Sequence, residues 1–521
     1  MSRTASRPLP HPADATSVAL KRVDRWLWAI PAFVAFGLIL PSIGAWCVWA
    51  PDSVTTYLPI ARTLSRAGEL PPVRLIAPPG YSVLLAPILA IWGDTPLLAL
   101  RIAQGLAFVA IVAMVFFIHR GELSKGGALA ASLAAACSPV LLTFAATPLA
   151  EIAFTLMICA WLLVMHRWES GRAGPWYEAA WVGVFCAAIS LTRSIGAVTI
   201  PVSLWVMVRC FSPRVPKLLV PLGAFCICSV GPLIAWEMRQ SLYPGSDSYR
   251  RAWTQPRGDE AADLRGPALY AHRLGSFGIM RLAALKETLA APDPYWRLYS
   301  PPWSRSSSCV IGGMLIAIAL VRFAMFRRAA DGFVVSTVGL LVFWPYDEGV
   351  RLVAPLIPIL VAYPVWLIER WLRSGRTVQS MAAWALAAGI SGLYLPGVLR
   401  WESRLSTLHD KENTRLRQMH ELAAWQVANL STGGSYIGVT PYRDNSKLLL
   451  AGASYLAERH VRPIDCMPQS GFDVPPDSFD AAFVHSSLAS EAELRWGMHP
   501  RARTGPFAIF VPESADAWAG E

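Results

Sequence analysis

About eleven apolar runs, most of them 17 to 25 residues long, constrain this chain more than any other feature. They lie near 26–49, 96–118, 126–144, 149–165, 177–192, 194–210, 217–237, 308–325, 330–346, 350–369 and 378–397. Runs of that length match the hydrocarbon thickness of a bilayer, and inside a bilayer only a helix satisfies its own backbone hydrogen bonds. The chain is 54% hydrophobic and 16% charged, with 22 tryptophans and a mean hydropathy of +0.40, far too apolar for a string of soluble domains. The expected fold class is therefore an α-helical polytopic membrane protein with about 11 transmembrane helices.

The basic residues set the orientation, because cytoplasmic connections collect Lys and Arg. Arg3, Arg7, Lys21, Arg22 and Arg25 precede the first run, which is longer than a signal-peptide core and reads as a retained signal anchor. With the N-terminus inside, the inner connections hold Arg120 and Lys125, Arg167 and Arg172, Arg209, Arg214 and Lys217, then Arg322, Arg327 and Arg328, and finally Arg370, Arg373 and Arg376. The short outer turns are poor in positive charge. The net charge of +11 is thus spent on topology, which excludes nucleic acid as a partner. Seven of the nine cysteines lie in or at the ends of apolar runs, so neither a disulfide framework nor a zinc site is indicated.

This topology divides the chain into a polar, disordered cytoplasmic tail (1–25), a transmembrane domain (26–397) and an extracytoplasmic tail (398–521). Two further outer segments, 50–95 and 238–307, are too long to be turns. The first contains "YSVLLAPILAIWG", too short to span and read as a helix lying along the membrane surface. In the tail, "YIGVT", "AAFVHSS" and "FAIFVP" read as strands, with helices over 407–430 and 447–458, which together predict a small α/β domain. A composition rich in Ala, Arg and Trp is consistent with a bacterial inner (plasma) membrane.

A carboxylate at a membrane edge must face water, a partner or a cavity. Asp52 stands just after the first span in "WAPDSVTTYLPIAR", with Tyr57 behind it, and Pro51-Asp52-Ser53 also fits a plain helix start. The same outer face carries Arg74 and Tyr81 in "RLIAPPGYSVLLAP", Glu151 in "TPLAEIAFTLM", Arg193 in "LTRSIGA", and Asp347, Glu348 and Arg351 in "YDEGVRLVAPLIP". Arginines pair with a phosphate that departs as an anion, and a carboxylate accepts the proton of an attacking hydroxyl. The bland alternative for Arg193 and Arg351 is anchoring of span ends by snorkelling. The aromatic groups of the 238–307 loop, in "LYPGSDSYRRAW" and "PDPYWRLYSPPW", suit sugar stacking and headgroup anchoring alike.

An aspartate after the first span, a tyrosine five residues on, "PPGY" leading into a short apolar helix, then "ALRIAQGLAFVAI" and "TPLAEIAFTL" together resemble the GT-C glycosyltransferases. Within them the likeness is to the polyprenyl-phosphate-sugar-dependent group of protein O-mannosyltransferases, aminoarabinose transferases and lipopolysaccharide-core transferases, over roughly residues 26–400. The resemblance implies inverting transfer of a sugar from a polyprenyl phosphate to a lipid, polysaccharide or protein acceptor on the outer side. It gives Asp52 the role of general base or acceptor-orienting group, Glu151 the second acidic position, and Arg351 a place at the donor phosphate with Arg193 or Arg74. Tyr57, Tyr81, Asp347 and Glu348 complete the expected pocket. Some relatives use a divalent metal and others do not, so the resemblance leaves a divalent metal open; no metal site is assigned. Aminoarabinose transferases carry a lysine before the paired prolines where this chain has Ala77, which argues against that specificity or hands the phosphate contact to Arg74.

Two rival classes predict different features. A secondary transporter or flippase-like protein calls for symmetric halves and ionisable groups at mid-span. A catalytically silent envelope assembly protein calls for a docking tail and no functional acid. The spans read as almost free of internal charge, with the charges gathered at the outer rim.

Overall fold

The computed structural model describes residues 26–44, 56–73, 75, 77–93, 97–172, 175–211, 215–243, 255–256, 264–290, 302–344 and 349–371, with shorter stretches between 381 and 510. Helices dominate: α1 Ala29–Gly44, α2 Leu58–Ala67, α3 Gly80–Trp92, α4 Leu97–His119, α5 Lys125–Ala136, α6 Pro139–Ala146, α7 Ala150–Glu169, α8 Trp176–Thr192, α9 Thr199–Phe211 and α10 Val215–Ser241. After them come α11 Gly266–Ala290, α12 Pro302–Phe326, α13 Ala329–Val342, α14 Ile357–Leu360 and α15 Ala362–Trp371.

Among the described residues, four helices are long and apolar enough to cross a membrane: Leu98–His119, Ala150–Glu169, Leu219–Ser241 and Cys309–Phe326. The α5–α6 pair adds a fifth if its halves, bent by 49°, form one span. The bend has a local cause. Ser138 caps α6 by accepting from the Leu141 N–H, and Pro139 at the first position of α6 cannot donate back into α5. The expected 350–369 span is likewise broken, into 3-10 turns Gly349–Leu352 and Ala354–Leu356 followed by α14 and α15, because Pro355, Pro358 and Pro364 interrupt it. Its residues from Val353 to Tyr363 are almost wholly buried in protein, where irregular backbone is tolerated at membrane depth. The expected 378–397 span lies largely outside the described residues, so the count of eleven does not carry over to the structure.

Apolar side chains stand exposed along α1 (Phe33, Leu40), α10 (Leu219, Ile227, Ile234) and α12 (Val310, Met314, Val321). Faces of this extent are stable against lipid and not against water. The chain is an integral membrane protein. Glycine permits the closest crossings: a Cβ at Gly183 of α8 would lie 2.6 Å from the Phe225 carbonyl oxygen of α10, and one at Gly312 of α12 would overlap the Leu282 carbonyl of α11.

The three tail stretches read as strands are strands: β1 Tyr436–Pro441, β3 Ala481–His485 and β5 Phe507–Phe510. With β2 Val461–Cys466 and β4 Ala502–Thr504 they form a sheet in the order β2-β1-β3-β5-β4. β1 runs parallel to β2 and β3, while β5 is antiparallel to β3 and β4. Part of the predicted 407–430 helix is described and helical, and 447–458 lies outside the described residues.

The charges are not confined to one rim. Arg322 of α12 donates to Asp331 of α13 at 2.9 Å and to Glu122 at 2.5 Å, and Tyr363 of α15 donates to the same Asp331 oxygen at 2.9 Å. Arg328 reaches Glu122 and Glu169, and Glu169 also accepts from the Ala329 N–H at 2.6 Å. Burial pushes the Glu122 carboxyl up, but the Arg322 guanidinium beside it, helped by His119 and Arg328, holds it below the usual range. Nearby, Glu369 accepts from the Ser124 N–H and hydroxyl, tying α15 to the start of α5. This network caps the Glu169 end of α7, while Glu151 sits at the other end, about 27 Å away at 1.5 Å per residue.

Asp331→Ala removes the shared acceptor of Arg322 and Tyr363 and leaves a buried guanidinium short of a partner. The expected cost is about 3–5 kcal/mol, read as a lowered thermal unfolding midpoint of the purified protein in detergent.

Candidate active site

Glu151 occupies the first turn of α7, where a negative charge complements the helix dipole, and its side chain is fully buried. Two arginines from remote parts of the chain converge on one of its oxygens. Arg193 Nη1 and Arg351 Nε each donate to Oε1 at 2.6 Å. The second carboxylate oxygen, Oε2, is buried and has no hydrogen-bond partner. Both guanidinium groups keep some exposure, 11% for the Arg193 side chain and 26% for Arg351, against 1% for Glu151. The carboxylate thus forms the floor of the cluster, and the arginines form its rim.

Local backbone places each arginine. Arg193 is the extended residue that ends α8: its N–H closes the helix on the Ile189 carbonyl, and its own carbonyl accepts from the Gly196 N–H to begin the 3-10 turn Ser194–Val198. Gly196 is required there, since a Cβ would sit 2.7 Å from the Ile189 oxygen. Arg351 lies in the 3-10 turn Gly349–Leu352 that opens the proline-broken segment.

The first loop supplies an aromatic wall. Tyr57 precedes α2 and Tyr81 lies in the first turn of α3; their rings meet edge to face with centroids 5.0 Å apart. The Ser82 hydroxyl donates to the Tyr57 carbonyl at 3.0 Å, which locks the two helices together. Gly80 of the "PPGY" element lies against the backbone of Leu191 and Thr192, just before Arg193, where a Cβ would come within 2.6 Å. Gln104 of α4 then links the wall to the acid: its Nε2 donates to the Tyr81 hydroxyl and to the Leu149 carbonyl, both at 3.1 Å, two residues before Glu151.

Of the residues singled out by sequence, the structure brings Glu151, Arg193 and Arg351 into direct contact and joins Tyr57 and Tyr81 to them through Gln104 and Gly80. Asp52, Arg74, Asp347 and Glu348 lie outside the described residues. Among the described residues no three His, Cys, Asp or Glu side chains come together as a metal site.

Sequence reasoning missed Gln104, although a lone amide in an apolar run is itself a signal. It also missed a clasp on the first loop. Gln240, near the end of α10, accepts from the Leu75 N–H at 3.0 Å and donates to the Leu75 carbonyl at 3.3 Å. Arg239 donates to the carbonyls of Pro71 and Val73 and stacks over Trp236 and Tyr243. Side chains that bind only main chain leave no motif on the partner strand of sequence.

No protein-family profile matches the sequence, and no curated protein matches it in sequence. Solved structures do share its architecture. ArnT from Cupriavidus metallidurans bound to undecaprenyl phosphate superposes with a TM-score of 0.56 at 13% identity, covering 94% of this chain and 98% of that one. The archaeal oligosaccharyltransferase AglB from Archaeoglobus fulgidus, in complex with an inhibitory peptide and a dolichol-phosphate, gives 0.53 at 13% identity over 90% and 70% of the two chains. The chain has the GT-C fold. The GT-C fold accounts for the order read in the sequence: first loop, short apolar helix, second acidic position at the head of a span. At this identity it is the architecture that is shared, and the chemistry must be argued from the side chains.

Gly80→Ala drives a methyl group into the Leu191–Thr192 backbone, whereas Gly37→Ala of α1 meets nothing within 4 Å. The first is expected to cost about 1–3 kcal/mol and the second nothing or slightly less than nothing. Paired thermal melts of the two variants check this.

Proposed function

We propose that this chain is a membrane glycosyltransferase that moves a sugar from a polyprenyl phosphate to an acceptor hydroxyl on the extracytoplasmic side, with inversion at the sugar carbon. One observation carries the reading: Glu151, Arg193 and Arg351, far apart in sequence, form a single half-open cluster beside the Tyr57–Tyr81 wall in a GT-C fold. Neighbours in that fold were solved with undecaprenyl phosphate and with dolichol-phosphate, which supports a lipid-linked donor.

In this reading the isoprenoid tail lies along the apolar helices and its phosphosugar meets the arginine rim. Asp52 takes the proton of the attacking hydroxyl as that oxygen bonds to the anomeric carbon; the bond from that carbon to the phosphate oxygen breaks, and the phosphate leaves as an anion. Arg351, with Arg193 or Arg74, stabilises the charge that develops on the leaving phosphate. Glu151 binds both arginines on one oxygen and so sets where their guanidinium planes point. Tyr57 and Tyr81 are buried and brace the cluster from behind, and Asp347 and Glu348, four and three residues before Arg351 in sequence, are the further acids assigned to the pocket. Ala77 in front of Pro78-Pro79 favours a sugar other than aminoarabinose, or leaves the loop's phosphate contact to Arg74.

Mass spectrometry of envelope glycoconjugates from cells with and without the gene should reveal one missing sugar, naming donor and acceptor together. Asp52→Asn should reproduce that loss with normal membrane insertion, lowering transfer about 10²- to 10⁴-fold. Unchanged glycoconjugates in both strains would leave a transporter or a silent assembly protein as the better account.

A further inference from the structure

The "ALRIAQ" stretch at the start of α4 has a second polar residue with no place in the mechanism above. Arg101 and Gln104 stand three apart and therefore share one face of the helix. Both are buried, each 7% exposed. Arg101 donates from Nη1 to the Ile43 carbonyl in the last turn of α1, at 3.3 Å. Its Nε and Nη2 are buried and have no hydrogen-bond partner. Those two N–H groups lie on one edge of the guanidinium plane. They are the fork that binds two oxygens of a carboxylate or phosphate side by side.

Two neighbours have open valences as well. The Ser42 hydroxyl, one residue before Ile43, is buried without a partner. Gln104 commits its Nε2 to Tyr81 and Leu149 and leaves Oε1 unpaired. A buried cation short of partners costs several kcal/mol unless an anion joins it. This one stands at the loop end of a span, where lipid phosphates lie.

We propose that Arg101, with Ser42 beside it, forms a second oxyanion site, separate from the Glu151–Arg193–Arg351 cluster, and that its ligand is the phosphate of a lipid. The site is coupled to the first through Gln104, which touches Tyr81 and the Leu149 carbonyl. It rests on the glycosyltransferase reading only for its use, since an enzyme that takes sugars from lipid phosphates works among phosphates of two kinds, the isoprenoid donor's and the surrounding headgroups'. The fork itself recognises either one.

The test uses the full-length protein in a phosphate-free sugar detergent, with binding of undecaprenyl phosphate, undecaprenol and phosphatidic acid followed by native mass spectrometry. Arg101→Gln should weaken binding of one phosphate lipid by about tenfold or more, the scale of a charge-assisted hydrogen bond, and leave undecaprenol unchanged. The lipid whose binding falls identifies the source of the phosphate. Arg101→Lys, which keeps the charge and loses the fork, should fall by a smaller factor, and Ser42→Ala by less again. If Arg101→Gln does not insert, Arg101→Lys and Ser42→Ala decide the matter. Wild-type affinities for both phosphate lipids in the variants that fold would overturn the proposal. Arg351→Gln separates the two readings. Loss of undecaprenyl phosphate in Arg351→Gln with unchanged Arg101 variants removes only the second site. Arg101-dependent binding of phosphatidic acid without any glycosyl transfer by the wild type removes only the enzyme.

Discussion

A carboxylate oxygen shared by two guanidinium groups organises the loop end of this protein. Glu151 belongs to α7, Arg193 to the junction of α8 with the next 3-10 turn, and Arg351 to the opening of the proline-broken segment. No one of these segments positions the others through its own backbone. The Coulomb attraction between them, strengthened by burial of the acid, ties three separate turns to one point. Everything next to that point inherits its geometry: Gly80 rests on the residues just before Arg193, and Gln104 holds the carbonyl two residues before Glu151.

The far end of α7 is held by a different kind of network. Glu169, Arg328, Glu122, Arg322, Asp331 and Tyr363 exchange hydrogen bonds and ion pairs, with Arg322 lying against the rings of Phe326, Tyr363 and Trp366. Arg322, Asp331 and Tyr363 at its centre are buried, and Arg328 keeps 28% exposure. The Glu151 cluster differs in its wiring: a single oxygen of one fully buried carboxylate takes both arginines. One helix therefore carries a network of several acids at one end and a one-acid, two-arginine cluster at the other.

The parts of the proposed site stand on supports of unequal kind. Rim arginines are held by a buried acid, and the aromatic wall by an amide and by a glycine that permits backbone contact. Pro71, Val73 and Leu75 of the first loop are held by Arg239 and Gln240 through their main chain. A stretch fixed by its backbone can vary its side chains without losing its place. That makes it a natural location for the residues that distinguish one donor or acceptor from another.

Much of this was legible in the sequence, for reasons that differ by residue. Apolar runs of bilayer length imply helices because hydrocarbon leaves the backbone no other partner, and alternating short β-rich stretches in the tail implied strands that indeed pair. Glu151, Arg193 and Arg351 could be singled out because each places a charge at the edge of an apolar run, and such placements are costly without purpose. The sequence could not say that the two arginines share one oxygen, since pairing between residues 42 and 200 positions apart is decided by how helices cross. Nor could it show Arg322, Asp331 and Glu122 as a buried network rather than topology signals, because a charge is counted the same way before its partner is known. Proline broke the expected 350–369 span, and only the packing around that segment shows how its backbone stays buried. Composition and periodicity thus determine which segments enter the membrane, because transfer energy is a property of each segment alone; the site belongs to the tertiary structure, because it is made of contacts between segments.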